Sequence, residues 1–443
     1  MKAIRWMGLL LLAVLFISGT PKAAAQDKQD CSGPGQHYTM AEYNSYQAAA
    51  AEKNPAAQIK LLDDFVSKYP SSCLLTYVYP LYYRNYLSQK NSAKAIEYSD
   101  KMLSLGDKLT PAEKYEAYSY RANAYNSMQN PDVETSKAAR AAALATLKVL
   151  DQLPKPDGDT DEAFAAQKKQ STVVFNGTAA NAAINAKDYA GAIESYKAVL
   201  KIVPDDLISN YKLGQAYMAI NPPQQLDGIW YYARAATNKN ATEQQAKSLK
   251  GFLRKLIGNY QGNTVCDALT DAEMNELLQL APNSVERPAT YKLASSADLD
   301  AARKDMTIVS VVTDLKAGGD KAKLTWTASC GLEFPEVPGK LIDVVAGADT
   351  IELKVAFVTS DAEFQAATNP DMDVIIKTAD QPAAAKLEKG NPVHFTATLE
   401  SYDPDPAFML HWDKAKVSDD DLPKETPKKP AAKKPAAKKP AKS

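Results

Sequence analysis

The chain has 443 residues, 45% of them hydrophobic and 24% charged, a globular balance that excludes general disorder and allows roughly two to four domains. The formal net charge of −1 conceals an asymmetry. Residues 424–443 carry eight Lys against the single Glu425, residues 1–25 carry Lys2, Arg5 and Lys22, and residues 26–423 are left with −11. The body is acidic and the tail basic, so specific nucleic-acid binding is not expected.

Lys2 and Arg5, the apolar run from Leu9 to Ile17 and the small residues Ala23-Ala24-Ala25 follow one another as in a secretory signal. Residues 1–25 are therefore expected to be a signal peptide, with the mature chain starting at Gln26 in the periplasm or cell envelope. An uncleaved anchor is the alternative reading, but the run falls short of the ~20 residues a spanning helix needs. No later stretch approaches that length, so no transmembrane span is expected after cleavage. Residues 26–37 read as a disordered segment. Export permits disulfides between Cys31, Cys73, Cys266 and Cys330, and four cysteines allow three pairings. Cys31–Cys73 is favoured because both fall in the first helical hairpins; free buried thiols are the alternative. No CxxC spacing exists, and no metal site is expected.

Helical periodicity begins near residue 38. The stretch from Ala57 to Pro70 has the pattern of a second helix stopped by its proline, and Leu74 to Leu87 followed by Ala93 to Leu105 forms a hairpin across Ser88-Gln89-Lys90-Asn91. Thr110-Pro111-Ala112-Glu113 is a capping signature with Thr110 as N-cap, and it opens a helix from Ala112 to Met128. Ser136 to Leu153 supplies the partner, ended by Pro154 and the Asp157-Gly158-Asp159 turn. The clearest unit is 173–204, where an Ala-rich helix turns at Asn185-Ala186-Lys187-Asp188 and returns with Ala192, Tyr196 and Val199 on one face before Pro204. Leu213-Gly214 and Tyr217 follow, and Gly228 and Tyr232 come after the longer loop Asn221 to Gln225.

Ala192, Tyr196 and Pro204, with Gly214, Tyr217 and Tyr232, make this region resemble the tetratricopeptide repeat family. The resemblance implies an α solenoid of roughly five helical hairpins over 38–240, within a helical repeat domain at 38–258. A capping helix and linker follow at 259–304. One hairpin cannot bury its apolar face alone, so neighbours stack and leave a concave groove lined by first helices. Tyr83, Tyr120, Asn123, Asn176, Asn210 and Lys212 fall on first helices and are the candidate partner contacts.

Periodicity changes near residue 305, and 305–417 reads as a small all-β domain, a barrel or sandwich. Strands are expected at 306–313, 323–329, 341–346, 350–358, 373–378, 393–401 and 407–412, with a turn at Gly318-Gly319. The stretch Gly390 to Pro404 is similar to late strands of an OB-like barrel, of the kind that follows tetratricopeptide arrays in some exported bacterial proteins. Such barrels bind oligomers through aromatic faces. Here Trp326, Phe357, Phe395, Phe408 and Trp412 are available, though strand alternation assigns most of them to the core. Residues 418–443 read as a disordered tail, in which Lys-Lys-Pro-Ala-Ala repeats every five residues.

The chain has three His (His37, His394 and His411) and no HExxH, GxSxG or glycine-rich phosphate loop. His411-Trp412-Asp413 with Asp403 and Asp405 reads as a strand end rather than a metal set. No catalytic residues and no cofactor are expected. The expected function is a non-catalytic interaction scaffold that binds a protein or peptide in the helical groove. The alternative is binding of a glycan or anionic envelope polymer through the β-domain and the Lys-rich tail.

Overall fold

The computed structural model describes residues 38–423. The expected signal peptide, the segment 26–37 and residues 424–443 lie outside the described residues. The chain divides into two compact units at Pro223/Gln224. The first is helical: α1 Met40–Ala51, α2 Pro55–Lys68, α3 Leu75–Ser88, α4 Ser92–Leu103, α5 Pro111–Asn126, α6 Val133–Leu150, α7 Asp161–Asn185, α8 Tyr189–Ile202 and α9 Leu207–Ala219.

Local chemistry sets these starts. Thr39 and Thr110 each close a reciprocal capping box, with Glu42 and Glu113 respectively. Asn54, Asn91, Asp132, Thr160, Asp188 and Asp206 accept backbone N–H groups at the starts of α2, α4, α6, α7, α8 and α9, each cap being worth about 1 kcal/mol. The Thr110-Pro111-Glu113 signature is used as its sequence predicts.

Within the first unit, helices pack in sequence-adjacent pairs from α1 against α2 through α7 against α8, and α9 packs on α8. Second neighbours also touch, α3 with α5 and α5 with α7. The interior is built from tyrosine and alanine. Tyr82 and Tyr98 stack with centroids 3.8 Å apart, and the Tyr82 hydroxyl donates to Asp63 Oδ1 at 2.6 Å. Further along, Ala122, Ala142, Ala143, Phe175 and Ala179 share one cluster.

The second unit begins with α10 Gln225–Ala236, α11 Glu243–Tyr260, α12 Asp267–Leu280 and α13 Ser296–Lys304. Every residue from Gly228 to Ala236 is buried, and the Arg234 guanidinium donates to the carbonyl of Ala281 at 2.7 Å. Next come α14 Ile308–Ala317 and α15 Gly319–Ser329, then β1 Glu333–Ala346, β2 Thr350–Phe357, α16 Asp361–Ala366, β3 Met372–Lys377, β4 Pro392–Asp403 and β5 Met409–Val417. The strands close a barrel in the order β1-β2-β3-β5-β4. β3 and β5 pair parallel while the other pairs are antiparallel. Gly339 permits the β1–β2 contact, since a Cβ there would stand 2.2 Å from Val355 Cγ1.

Two expected strands, 306–313 and 323–329, are helices instead. Thr307 closes a capping box with Ser310, and α14 buries Val311, Val312 and Leu315. That spacing belongs to one helical face, so packing on the barrel core outweighs the β propensity of the β-branched run. In α15, Ala322, Thr325 and Ser329 face inward while Leu324 is exposed, so the apparent alternation does not correspond to two faces of a strand. Gly318 and Gly319, at φ 73° and 74°, make the expected turn between these helices. The barrel therefore starts at Glu333 and not near 305. Ser418 and Asp421, which composition places in the tail, still bond to His394 of β4.

The disulfide in the second unit joins Cys266, ahead of α12, to Cys330 at the end of α15. Cys73 is also disulfide-bonded, and the expected partner Cys31 lies outside the described residues. The Cys266–Cys330 link closes a 64-residue separation, which by loop entropy contributes about 4 kcal/mol. Replacing both cysteines by Ser is expected to lower the unfolding free energy of this unit by about that amount, measured by denaturant titration, and reductant should then no longer change the stability of this unit, although Cys73 remains bonded in the other.

Glu273 of α12 is buried and accepts from Gln261 Nε2 at 2.8 Å. Burial raises its carboxyl pKa, although Gln261 and Lys323 pull the other way. A folded-state pKa above the unfolded one means that the group's stabilising contribution is fully present below the unfolded pKa. It is lost as pH rises through the folded value. Glu273→Gln is therefore expected to raise the Tm at neutral pH and to flatten the stability profile across that acid window. Its amide also offers a donor to Gln261 Oε1, which is buried without a hydrogen-bond partner.

Candidate functional site

The first helices of the helical unit bring together side chains about one hairpin period apart. Tyr83 of α3 and Tyr120 of α5 pack with centroids 4.9 Å apart. Arg84 Nε donates to Glu116 Oε1 at 2.8 Å across a separation of 32 residues, and Arg121 of α5 pairs with Asp100 of α4 at 2.9 Å. Tyr46 of α1 meets Tyr77 of α3 at 5.9 Å. Burial raises the phenol pKa values of Tyr46, Tyr83 and Tyr120, and the Arg84 charge pulls Tyr46 and Tyr120 partly back. Burial also opposes the charge on Arg84, but Glu116 outweighs it and holds the guanidinium above its ordinary value.

The result is a band of protonated phenols around a paired but half-exposed guanidinium. Hydroxyls and a guanidinium can donate to peptide carbonyls or carboxylates, and the ring edges supply apolar contact. No nucleophile stands beside a general base in this band. Among the described residues, no group of three or more His, Cys, Asp or Glu side chains is arranged to hold a metal ion. No helix among them is long and apolar enough to cross a membrane.

The six expected contact residues separate into two kinds. Tyr120 and Asn123 on α5 and Lys212 on α9 are half-buried and reachable. Tyr83 is fully buried, packs on Tyr120 and feels the charges of Glu116 and Arg84 from beneath the surface. Asn176 is buried and donates to Thr172 O at 2.9 Å on its own helix. Asn210, with no exposure, donates to Pro204 O at 3.1 Å and Asp206 O at 2.9 Å. These two asparagines hold backbone rather than face a groove. Of the packing residues, Ala192, Tyr196, Gly214, Tyr217 and Tyr232 are buried and Pro204 is exposed where α8 ends. The Tyr196 hydroxyl donates to Asn181 at 2.7 Å.

Hydropathy and repeat pattern do not single out Arg84, Glu116 and Arg121. The available signal was an opposite-charge pair one period apart on consecutive first helices. An open cleft of about 840 Å³ lies where α3, α4 and α5 turn, lined in part by Leu87, Lys90, Ser127 and Met128.

On the barrel, Phe395 and Trp412 are core residues, and Trp326, Phe357 and Phe408 pack against that core. Its outer face carries a charged row instead. Asp343, Lys354, Asp373 and His411 stand opposite one another across β1, β2, β3 and β5. Lys354 binds Asp373 at 2.8 Å, and His411 lies 3.0 Å from Asp403 and 3.5 Å from Asp373. His411 is thus held between carboxylates of two neighbouring strands, Asp373 being one that sequence order did not suggest.

No family model matches the chain, and no curated protein matches it.

Removal of a buried bonded amide costs about 1–3 kcal/mol. Asn210→Ala is expected to lower the stability of the helical unit by that order, seen as a drop in Tm.

Proposed function

We propose that this protein is a non-catalytic interaction scaffold of the periplasm or cell envelope, which binds a protein or peptide along the first-helix face of a tetratricopeptide-type solenoid. The observation that carries the reading is the continuous band on α1, α3 and α5, where Tyr46, Arg84, Glu116 and Tyr120 gather from successive hairpins. Packing of α3 on α5 and of α5 on α7 supports the solenoid, because stacked hairpins bring alternate helices into contact. The order β1-β2-β3-β5-β4, with β3 parallel to β5, supports an OB-like reading of the barrel.

Binding of an anionic polymer through the barrel is less favoured. Its aromatics pack in or against the core, and residues 332–423 hold eighteen acidic side chains against seven Lys. That net of −11 equals the whole excess of residues 26–423, so the helical region 26–331 is close to neutral.

Envelope extract passed over immobilised wild-type protein is expected to yield a partner that is depleted by roughly 30-fold in affinity with Arg84→Glu or Tyr120→Ala, as for a hot-spot loss of ~2 kcal/mol. Arg254→Glu, on the other unit, should leave recovery unchanged. Equal recovery by all three variants would overturn the proposed face.

A further inference from the structure

The acidic residues of the barrel are not evenly neutralised. Asp343 pairs with Lys389 at 2.5 Å, and Glu352 and Asp373 share Lys354. Around the barrel, on the outer side of β1, β4 and β5, the balance is different. Glu333 stands opposite Thr398, and Thr398 opposite Asp413, in one row across the three strands. Glu336 lies beside Thr396 of β4, where its backbone N–H donates to the hydroxyl at 3.4 Å. Glu400 is exposed on the same outward register of β4. None of these four carboxylates forms an ion pair among the described residues, and Lys414 and Lys416 are the cations β5 adds nearby.

The chain leaves the barrel beside this face. After β5, Ser418 N–H donates to His394 O at 2.8 Å, and Asp421 accepts from the His394 backbone N–H at 2.7 Å. From there the sequence continues into twenty residues carrying eight Lys and one Glu. With a proline in every five residues, an extended chain rises about 3.1 Å per residue. The tail can therefore reach ~60 Å, and successive lysine pairs recur every ~15 Å. Neighbouring strands are ~4.8 Å apart, so the row from Glu333 to Asp413 spans ~10 Å. One lysine pair can engage that row while the next meets Glu336 or Glu400.

We propose that residues 424–443 dock on the outer face of β1, β4 and β5 of their own barrel, held by Glu333, Glu336, Glu400 and Asp413. Tethering places the tail at millimolar effective concentration, so several surface pairs, each worth up to ~1 kcal/mol, act together without the cost of bringing two molecules together. The docked tail is withheld from anionic partners, and a polyanion must displace it to bind. The carboxylates and the tail share one short connection, which makes the contact intramolecular.

Carbodiimide cross-linking of the full-length protein, read by mass spectrometry, tests this directly. Expected are zero-length links from Lys428, Lys429, Lys433 and Lys434 to Glu333, Glu336, Glu400 or Asp413. They should fall roughly tenfold as salt rises from 0.15 M to 1 M and the Debye length shrinks from about 8 Å to 3 Å. Mixing isotopically labelled and unlabelled chains should show the links to be within one chain. As a second readout, the amide signals of Ala431, Ala432, Ala436 and Ala437 should sharpen in the Glu333→Gln/Glu336→Gln/Glu400→Gln/Asp413→Asn variant. Links scattered over all exposed carboxylates, links confined to Asp419–Asp421, links between chains, or alanine signals equally sharp in both proteins would each overturn the proposal.

Discussion

A pair of helices buries one face against itself and leaves the other open, and the helical unit is organised by the need to cover that open face. Each pair is covered by the next, with α4 on α5, α6 on α7 and α8 on α9. The side chains at these joints are of two sizes. Alanine lets α5, α6 and α7 approach closely around Ala122, Ala142, Ala143 and Ala179. Tyrosine fills the wider joint of α2, α3 and α4, where it also presents a polar tip. Tyr82 buries its ring against Tyr98 and keeps its hydroxyl on Asp63. A phenylalanine there would fill the same volume and leave the carboxylate without that donor.

The same requirement explains the second unit. A five-stranded barrel has a narrow interior, and Val337, Phe395, Leu399 and Trp412 fill it. The core does not stop at the strands. Val311, Val312, Leu315 and Ala322 of α14 and α15 belong to the same apolar cluster. These helices are thus part of the barrel's folding unit, and the Cys266–Cys330 bond ties them to α12. Charge is distributed differently in the two regions. The helical part is close to neutral and pairs its charges between packed helices, as Arg84 of α3 with Glu116 of α5, whereas the barrel concentrates the acidic excess of the body. A phenol-and-guanidinium band on one unit and an acidic face on the other give the chain two chemically distinct surfaces.

Much of the helical architecture was legible because its signals are local. Thr110-Pro111-Glu113 caps α5 through side chains three residues apart, and Pro204 follows the end of α8. The four strand segments from 350 onward were legible because alternation there coincides with a real inside and outside, whereas β1 was legible only at its end, 341–346, where a bulge after Leu341 breaks the alternation. The same rule misassigned α14 and α15. A β-branched run and a polar–apolar alternation describe a strand only if both faces are defined by a sheet, and here one helical face is defined by the barrel core.

The candidate surface was legible in part. Sequence placed Tyr120 and Asn123 on a first helix, and both remain reachable there. It could not distinguish an asparagine that faces outward from one that folds back onto its own carbonyls, as Asn176 and Asn210 do. Nor could it pair Arg84 with Glu116 or place Asp373 beside His411, since those contacts depend on how helices stack and in which register strands close. Composition, caps and periodicity are properties of neighbouring residues, so the sequence alone determined capped starts such as that of α5, the helical character of the first half and the contrast between acidic body and basic tail, while α7 begins at Asp161 and not at the expected Val173. Which tyrosines are buried, which carboxylates are neutralised and which two segments become helices were decided only by tertiary packing, because each depends on a partner distant along the chain.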